Sequence, residues 1–261
     1  MTAFQFHNGE WQPCDGIPVS DRGFRYGMSV FETIGIVNGR FLFWDEHLKK
    51  LDQACVLTGF RRTQSTTCPI ETGQFAITGV ARIFVTAGDG AASDPVDSGR
   101  IILLIEERAI MEPPAPLKLS LASAPFSPLH PGLKTGNYWP HIAAYNAAIA
   151  AGFHETVLAN AQKHVMSASM ANLFAVIDGI LMTPRPATGA RVGVVRDWVT
   201  DRIDVVLAEF HPEQLAEATE IFLTNSGYGI GVVSHLGKAE LPEPEIGPRL
   251  LADYRKYCGI D

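Results

Sequence analysis

No stretch of this chain is apolar over the length needed to span a bilayer, and the opening residues Met1-Thr2-Ala3-Phe4-Gln5 lack the basic and apolar regions of a secretory signal. A cytoplasmic location without a membrane partner is therefore expected. Basic residues are also in short supply: 21 Lys and Arg stand against 28 Asp and Glu, a net charge of -7. Phosphate neutralisation needs clustered Lys and Arg, so this balance argues against a nucleic-acid surface, and the pair Arg61-Arg62 reads as a solvated loop. The four cysteines, Cys14, Cys55, Cys68 and Cys258, form no C-x-x-C or metal-ligand spacing, which predicts reduced thiols and no metal site. Internal repeats and low-complexity tracts are absent.

What is present describes a globular protein, 46% hydrophobic and 19% charged over 261 residues, long enough for one large or two modest cores. Phe31 to Val37 and Arg40 to Trp44 read as strands joined at Asn38-Gly39, a pair that tolerates positive φ at both residues. Asp45 then offers an N-cap for a helix over Glu46 to Leu57. Ala81 to Thr86 and Ile101 to Ile105 read as further strands. Three prolines within Pro113-Pro114-Ala115-Pro116 can continue neither a helix nor a central strand. They divide the chain into a small domain over 1–110, a linker over 111–117 and a larger domain over 118–261. In the second domain, strands are expected at Leu117 to Ala122, Thr156 to Leu158, Leu173 to Ile177, Ile180 to Met182 and Glu220 to Thr224. Helices are expected at Trp139 to Ala151, from Gly193 to Asp201, and at Pro248 to Tyr257.

Lys134, in Leu133-Lys134-Thr135-Gly136-Asn137-Tyr138, is the candidate for chemistry. A lysine amine in a partly desolvated pocket can lose its proton and attack a carbonyl to form a Schiff base, and Tyr138 could donate to an oxygen of the bound aldehyde. On residue types alone, such a lysine reads more simply as a solvated surface charge. Gly227-Tyr228-Gly229-Ile230-Gly231 suggests a dinucleotide fingerprint, but Ile230 to Ser234 is β-like where that motif needs a helix, so a dehydrogenase is rejected.

Six blocks in order decide between these readings: Arg22-Gly23-Phe24-Arg25-Tyr26-Gly27-Met28-Ser29-Val30-Phe31-Glu32-Thr33, Glu46 to Leu51, Lys134 to Tyr138, Asn172-Leu173-Phe174, Gly193-Val194-Val195-Arg196 and Phe222 to Ser226. Together they cover nearly the whole chain, which resembles the class IV, or fold-type IV, pyridoxal-phosphate enzymes. That family includes branched-chain and D-amino-acid aminotransferases and aminodeoxychorismate lyases. The resemblance implies an α/β two-domain fold with a small N-terminal α/β domain and a larger C-terminal domain around a β-barrel-like core. It also implies pyridoxal 5'-phosphate as cofactor, a small amino acid or amino-chorismate substrate, and a homodimer.

By the same resemblance Lys134 is the Schiff-base lysine and Tyr138 contacts the cofactor's phenolic oxygen. Asn172 anchors the cofactor pocket, and Gly193, Val194, Val195 and Ser226 surround the phosphate. Val195 replaces a threonine and keeps only its backbone N–H. Lys50 replaces an arginine, keeping the charge but losing the planar fork that pairs two phosphate oxygens. Ser167 stands five residues before Asn172, where the family places a glutamate against the pyridine nitrogen. A neutral hydroxyl cannot stabilise a protonated ring as a carboxylate does. Tyr26, Phe31 and Gly227 match substrate-pocket positions, and Arg25 could add a cation for a carboxylate. The T-R-G arginine of some members is missing from Thr86-Ala87-Gly88. The implied activity is that of an aminotransferase. An aminodeoxychorismate-lyase-like enzyme that releases pyruvate is the alternative, supported by the lyase-like Asn225-Ser226 and Leu51 to Cys55, and a cofactor-binding protein with little catalysis is a third.

Overall fold

The computed structural model describes residues 1–60, 77–96, 99–108 and 116–260. Arg61-Arg62, Cys68 and the proline-rich stretch over 111–115 lie outside the described residues. The chain divides into two compact units, Met1–Met111 with Leu133–Tyr138, and Glu112–Gly132 with Trp139–Asp261. The segment carrying Lys134, placed in the second domain on sequence grounds, thus folds with the first unit.

In the first unit, β1 (Thr2–His7), β2 (Glu10–Pro13), β3 (Ser29–Val37), β4 (Arg40–Phe41), β5 (Gly79–Thr86) and β6 (Ile101–Glu107) form one sheet in the order β2-β1-β6-β5-β3-β4. All its pairings are antiparallel. β3 is buried almost throughout, and Val30, Ile34 and Ile36 are wholly buried. The helix α1 (Arg22–Tyr26) precedes it, and α2 (Trp44–Thr58) follows β4. Leu48, Leu51 and Cys55 recur on α2 at helical spacing and enter the core with Ile34, Ile83 and Leu103.

The β3–β4 turn has positive φ at Asn38 and Gly39, as their chemistry predicts. The return strand, however, stops at Phe41 rather than Trp44, and α2 begins two residues before Glu46, after Phe43 in a left-handed conformation with φ 55°. Burial explains the difference. Trp44 is itself in the core, edge-on to Phe41 with ring centroids 5.5 Å apart. Asp45 and Glu46 consequently lie inside the first turn, where their charge still favours the helix dipole.

The second unit contains β7 (Leu117–Leu121), α3 (Trp139–Ala150), β8 (Glu155–Ala159), β9 (Val165–Ala168), β10 (Asn172–Ile177), β11 (Ile180–Pro184), α4 (Val194–Thr200), β12 (Val206–Ala208), β13 (Glu220–Asn225), β14 (Gly229–Leu236), β15 (Ala239–Glu240) and α5 (Ile246–Cys258). Its nine-stranded mixed sheet runs β12-β11-β10-β13-β14-β7-β8-β9, with β15 on β14. β7 and β8 are parallel, and α3 lies in the crossover between them that parallel pairing requires. Leu119, Val157, Leu173, Leu223 and Val233 share one apolar cluster. Phe174 and Phe222 stack 4.8 Å apart, and Phe222 lies against Gly247 of α5. Gly229–Leu236 is a strand, so the helix that a dinucleotide fingerprint needs after Gly227 to Gly231 is not formed there.

Leu51 is wholly buried in the contact between α2 and the first sheet. Leu51→Ala is expected to lower stability by about 2–5 kcal/mol, the usual cost of emptying a packed leucine site. Urea unfolding should show a lower midpoint at an unchanged slope.

Candidate active site

Residues Leu133–Tyr138 reach the first unit as an added edge segment. β5 occupies one side of β3 opposite Val30 and Phe31, and β4 pairs on the other side only at Ile36 and Val37. The edge left open beside Val30 takes Thr135 in an antiparallel bridge, with Phe31 N–H donating to Lys134 O at 3.0 Å and Gly136 N–H to Ser29 O at 2.8 Å. Any side chain at position 136 would collide with Ser29 Oγ and the Gly27 carbonyl, so glycine is required there.

This pairing puts Lys134 beside two aromatic rings. Its Nζ lies 5.1 Å from the Phe31 ring centroid and 5.5 Å from that of Tyr138. Phe31 stacks on Phe84 at 5.3 Å and meets Tyr138 edge-on at 5.2 Å, which fixes both rings. Phe31, Lys134 and Tyr138 are thus one cluster.

Arg25 and Tyr26, the other candidates of this unit, are exposed on α1. The Arg25 guanidinium lies 4.7 Å from the Tyr26 ring centroid, with Nη2 donating to the tyrosine hydroxyl at 2.5 Å. Where other members place an arginine, Ala87 instead offers its carbonyl to the buried Arg22, whose guanidinium also donates to the carbonyls of Gly88, Ala91, Asp94 and Pro95. On α2, Lys50 is half-buried one turn beyond His47. His47 Nδ1 is 3.0 Å from Glu32 Oε2, a buried pair that ties the helix to β3.

In the second unit Asn172 and Gly193 make the closest approach. Asn172 Nδ2 donates to Arg191 O at 2.6 Å, and its Oδ1 occupies the space that a Cβ on Gly193 would need. Gly193 caps α4 without a side-chain bond, and the first intrahelical donor is Asp197 N–H, to Gly193 O at 2.9 Å. The N–H groups of Val194 and Val195 therefore have no acceptor within the helix. Because both valine side chains are buried, only their backbones can serve a ligand. Thr224 pairs with Asn172 across β10 and β13, and its hydroxyl is buried without a hydrogen-bond partner. Unspent N–H groups, an unpartnered hydroxyl and a glycine fit an anion such as phosphate.

Ser226 follows Asn225, whose Oδ1 accepts from Gly227 N–H at 2.8 Å and Tyr228 N–H at 2.9 Å. The N–H of Gly227, one of the substrate-pocket positions, is thus engaged within its own turn. Ser167 is half-buried on β9, opposite Leu158. The sequence reading missed Glu155, a buried carboxyl on the adjacent strand. Burial pushes it up to about 7, against the lowering effect of hydrogen bonds from Ser169, Thr156 and Met170. A carboxylate opening the apolar strand Glu155-Thr156-Val157-Leu158 was the signal available for it. Thr224 was likewise visible as a polar residue cross-strand from Asn172.

The profile of the amino-transferase class IV family matches residues 29–236, and the chain belongs to that family. It is 26% identical over 251 residues to an aminodeoxychorismate lyase of Vibrio harveyi, covering 87% of this chain and 90% of that protein. Among solved structures, it resembles the branched-chain aminotransferase of Thermoproteus uzoniensis with norvaline at a TM-score of 0.88, with 19% identity and coverage of 100% of this chain and 96% of the other. An aminotransferase of Brucella abortus bound to PLP gives a TM-score of 0.85 and 21% identity, with coverage of 99% of this chain and 100% of the other. The two-unit α/β fold is thus that of the fold-type IV enzymes. The chain is an enzyme of this class, whose cofactor is pyridoxal phosphate and which contains lyases beside aminotransferases.

Among the described residues there is no cluster of three or more His, Cys, Asp or Glu that could hold a metal, and no helix is long and apolar enough to cross a membrane.

Gly193→Ala is expected to weaken pyridoxal phosphate binding and to lower stability by roughly 1–3 kcal/mol, because the new methyl displaces Asn172 Oδ1. Adding Asn172→Ala should restore part of that stability. Simple additivity of the two changes in a double-mutant cycle would contradict the contact.

Proposed function

We propose that this chain is an aminotransferase that moves the amino group of an amino acid to a keto acid, with Lys134 as its catalytic amine. The observation that carries this reading is the placement of Lys134 Nζ against the rings of Phe31 and Tyr138, on a segment held by main-chain bonds to β3. Pyridoxal phosphate, when bound, supplies an aldehyde for capturing amines and a conjugated ring that withdraws electrons from the substrate Cα. Lys134 Nζ would hold the cofactor's aldehyde, and with substrate in place the same nitrogen would take the proton from Cα and return it. The Tyr138 hydroxyl would donate to the phenolic oxygen. The Val194 and Val195 N–H groups, the Ser226 hydroxyl and the Lys50 ammonium would hold the phosphate. Asn172 would form the wall of the cofactor pocket against Gly193, and Ser167 would donate to the ring nitrogen. Tyr26, Phe31, Gly227 and Arg25 shape and orient the substrate. This reading includes a homodimer in the cytoplasm.

Two observations favour a second reading, a lyase that releases pyruvate from an amino-chorismate. The Vibrio harveyi relative named above is an aminodeoxychorismate lyase, and position 167 carries no carboxylate.

Borohydride reduction of the cofactor-loaded protein followed by peptide mapping should label Lys134, and Lys134→Ala should remove the label while the chain stays folded. A label elsewhere overturns the assignment.

Ser167→Glu separates the reactions. For an aminotransferase, a protonated ring should accelerate keto acid formation by about tenfold or more, equivalent to ~1.4 kcal/mol of barrier. For a lyase adapted to a neutral ring, the same change should slow pyruvate release and bring out keto acid formation. Neither product from wild type or variant would leave a cofactor-binding protein.

A further inference from the structure

The buried carboxyl of Glu155 has no role in the reading above, although it holds a loop that both ends of the phosphate site depend on. Its Oε1 accepts from Met170 N–H at 2.9 Å, and its Oε2 accepts from Ser169 N–H at 2.9 Å, Thr156 N–H at 3.2 Å and the Ser169 hydroxyl in a short contact. Ser169-Met170-Ala171 leads directly into Asn172, which closes on Gly193. Met170 O in turn accepts from Asn225 Nδ2 at 3.3 Å, and Asn225 Oδ1 holds the turn through Gly227 and Tyr228 that contains Ser226. One carboxyl therefore supports the Asn172–Gly193 approach on one side and the Ser226 turn on the other.

We infer that Glu155 is a positioning residue for cofactor retention, acting through the 169–171 loop on both walls of the phosphate site. The inference rests on pyridoxal phosphate being the cofactor held there.

Its pH dependence has a definite sign. Burial raises the carboxyl to about 7 while the loop is closed, and release into water would return it toward the ordinary carboxylate range. The closed loop is therefore favoured at low pH, and that advantage is lost as pH rises through about 7. The phosphate group of the cofactor, with a second ionisation near ~6, changes binding in the opposite sense, because its dianion binds tighter. Tyr228, with Tyr145 beside it, and His141 face the cluster. The Tyr228 hydroxyl, near Glu155 and Tyr145, is buried without a hydrogen-bond partner and is held well above its ordinary range by burial. His141 Nδ1 lies 3.0 Å from Ser169 O.

The test is the dissociation constant of pyridoxal phosphate across pH for the full-length chain, read by tryptophan fluorescence, alongside the melting temperature of the cofactor-free protein. Wild type should weaken by about threefold between about pH 6.5 and 8.5, the upper end of a loss that begins in the ordinary carboxylate range and is complete just above 7. Ser169→Ala removes a donor that stabilises the ionised carboxyl, so the loss should move to higher pH. Glu155→Gln should abolish the loss and hold an affinity close to that of wild type at the acidic end, because the neutral amide stands in for the protonated carboxyl. A Glu155→Gln protein with a lower melting temperature and the wild-type pH profile would make the residue merely structural and overturn the inference. If that variant does not fold, an unshifted profile in Ser169→Ala overturns it equally. A wild type that binds no pyridoxal phosphate overturns the cofactor reading and this inference together.

Discussion

The position of Lys134 is set by the pairing of its backbone with the edge of β3. A lysine side chain has many rotamers, so a catalytic amine can be placed only by fixing its backbone and enclosing its stem. The bonds from Phe31 N–H and Gly136 N–H do the first, and the rings of Phe31 and Tyr138 do the second. The partner strand must itself be rigid. β3 meets this condition because Val30, Ile34 and Ile36 are wholly buried, and Leu51 of α2 shares their core. His47 and Glu32 add a polar tie between helix and strand, one turn before Lys50. Core packing, edge pairing and the amine thus form one chain of dependence.

Buried charge is used repeatedly for a different purpose, to organise main chain that has no ladder of its own. Arg22 gathers the carbonyls of Ala87, Gly88, Ala91, Asp94 and Pro95. Glu155 gathers N–H groups from Thr156, Ser169 and Met170, and Glu220 gathers those of Glu245, Ile246 and Gly247 where α5 begins. An isolated charge in an apolar interior is costly, and several hydrogen bonds to it offset that cost only in one arrangement of the surrounding backbone. Each group therefore selects a loop conformation. These anchors underlie segments next to proposed site positions: α1 with Arg25 and Tyr26 in one case, and the approach to Asn172 in another.

What the sequence made legible follows from how local each signal is. Asn38-Gly39 announces its hairpin because positive φ is a property of those two residues alone. Asn8-Gly9 carries the same signal, with φ of 52° and 88°, yet the β1–β2 hairpin around it was not read, because its short flanking runs are only partly apolar. The start of α2 was misplaced because burial of Trp44 outweighed the cap offered by Asp45. Among the candidate residues, motif order picked out Lys134 in the first unit and Asn172 and Gly193 in the second. Glu155, Thr224 and the ties of Asn225 were missed because their partners lie on other strands or distant loops. No spacing along one segment encodes a hydrogen bond between β8 and the 169–171 loop.

The substitutions at Lys50, Val195 and Ser167 act on different parts of the energetics. In the proposed phosphate contacts, a point charge at Lys50 and a bare backbone at Val195 would stand in for a directional guanidinium and a hydroxyl, which would leave more of the geometry to main-chain donors. Those donors cannot swing away, so retention rests more on loop order than on charge, the property Glu155 bears on. Ser167 weighs on rate instead. A hydroxyl can donate to an unprotonated ring nitrogen and bind the ground state well, but it adds no positive charge to draw electrons from Cα. Less delocalised charge at Cα favours expulsion of a leaving group over return of the proton elsewhere, which keeps the lyase reading strong. In the proposed role, Ser167 would bear on which reaction follows proton loss.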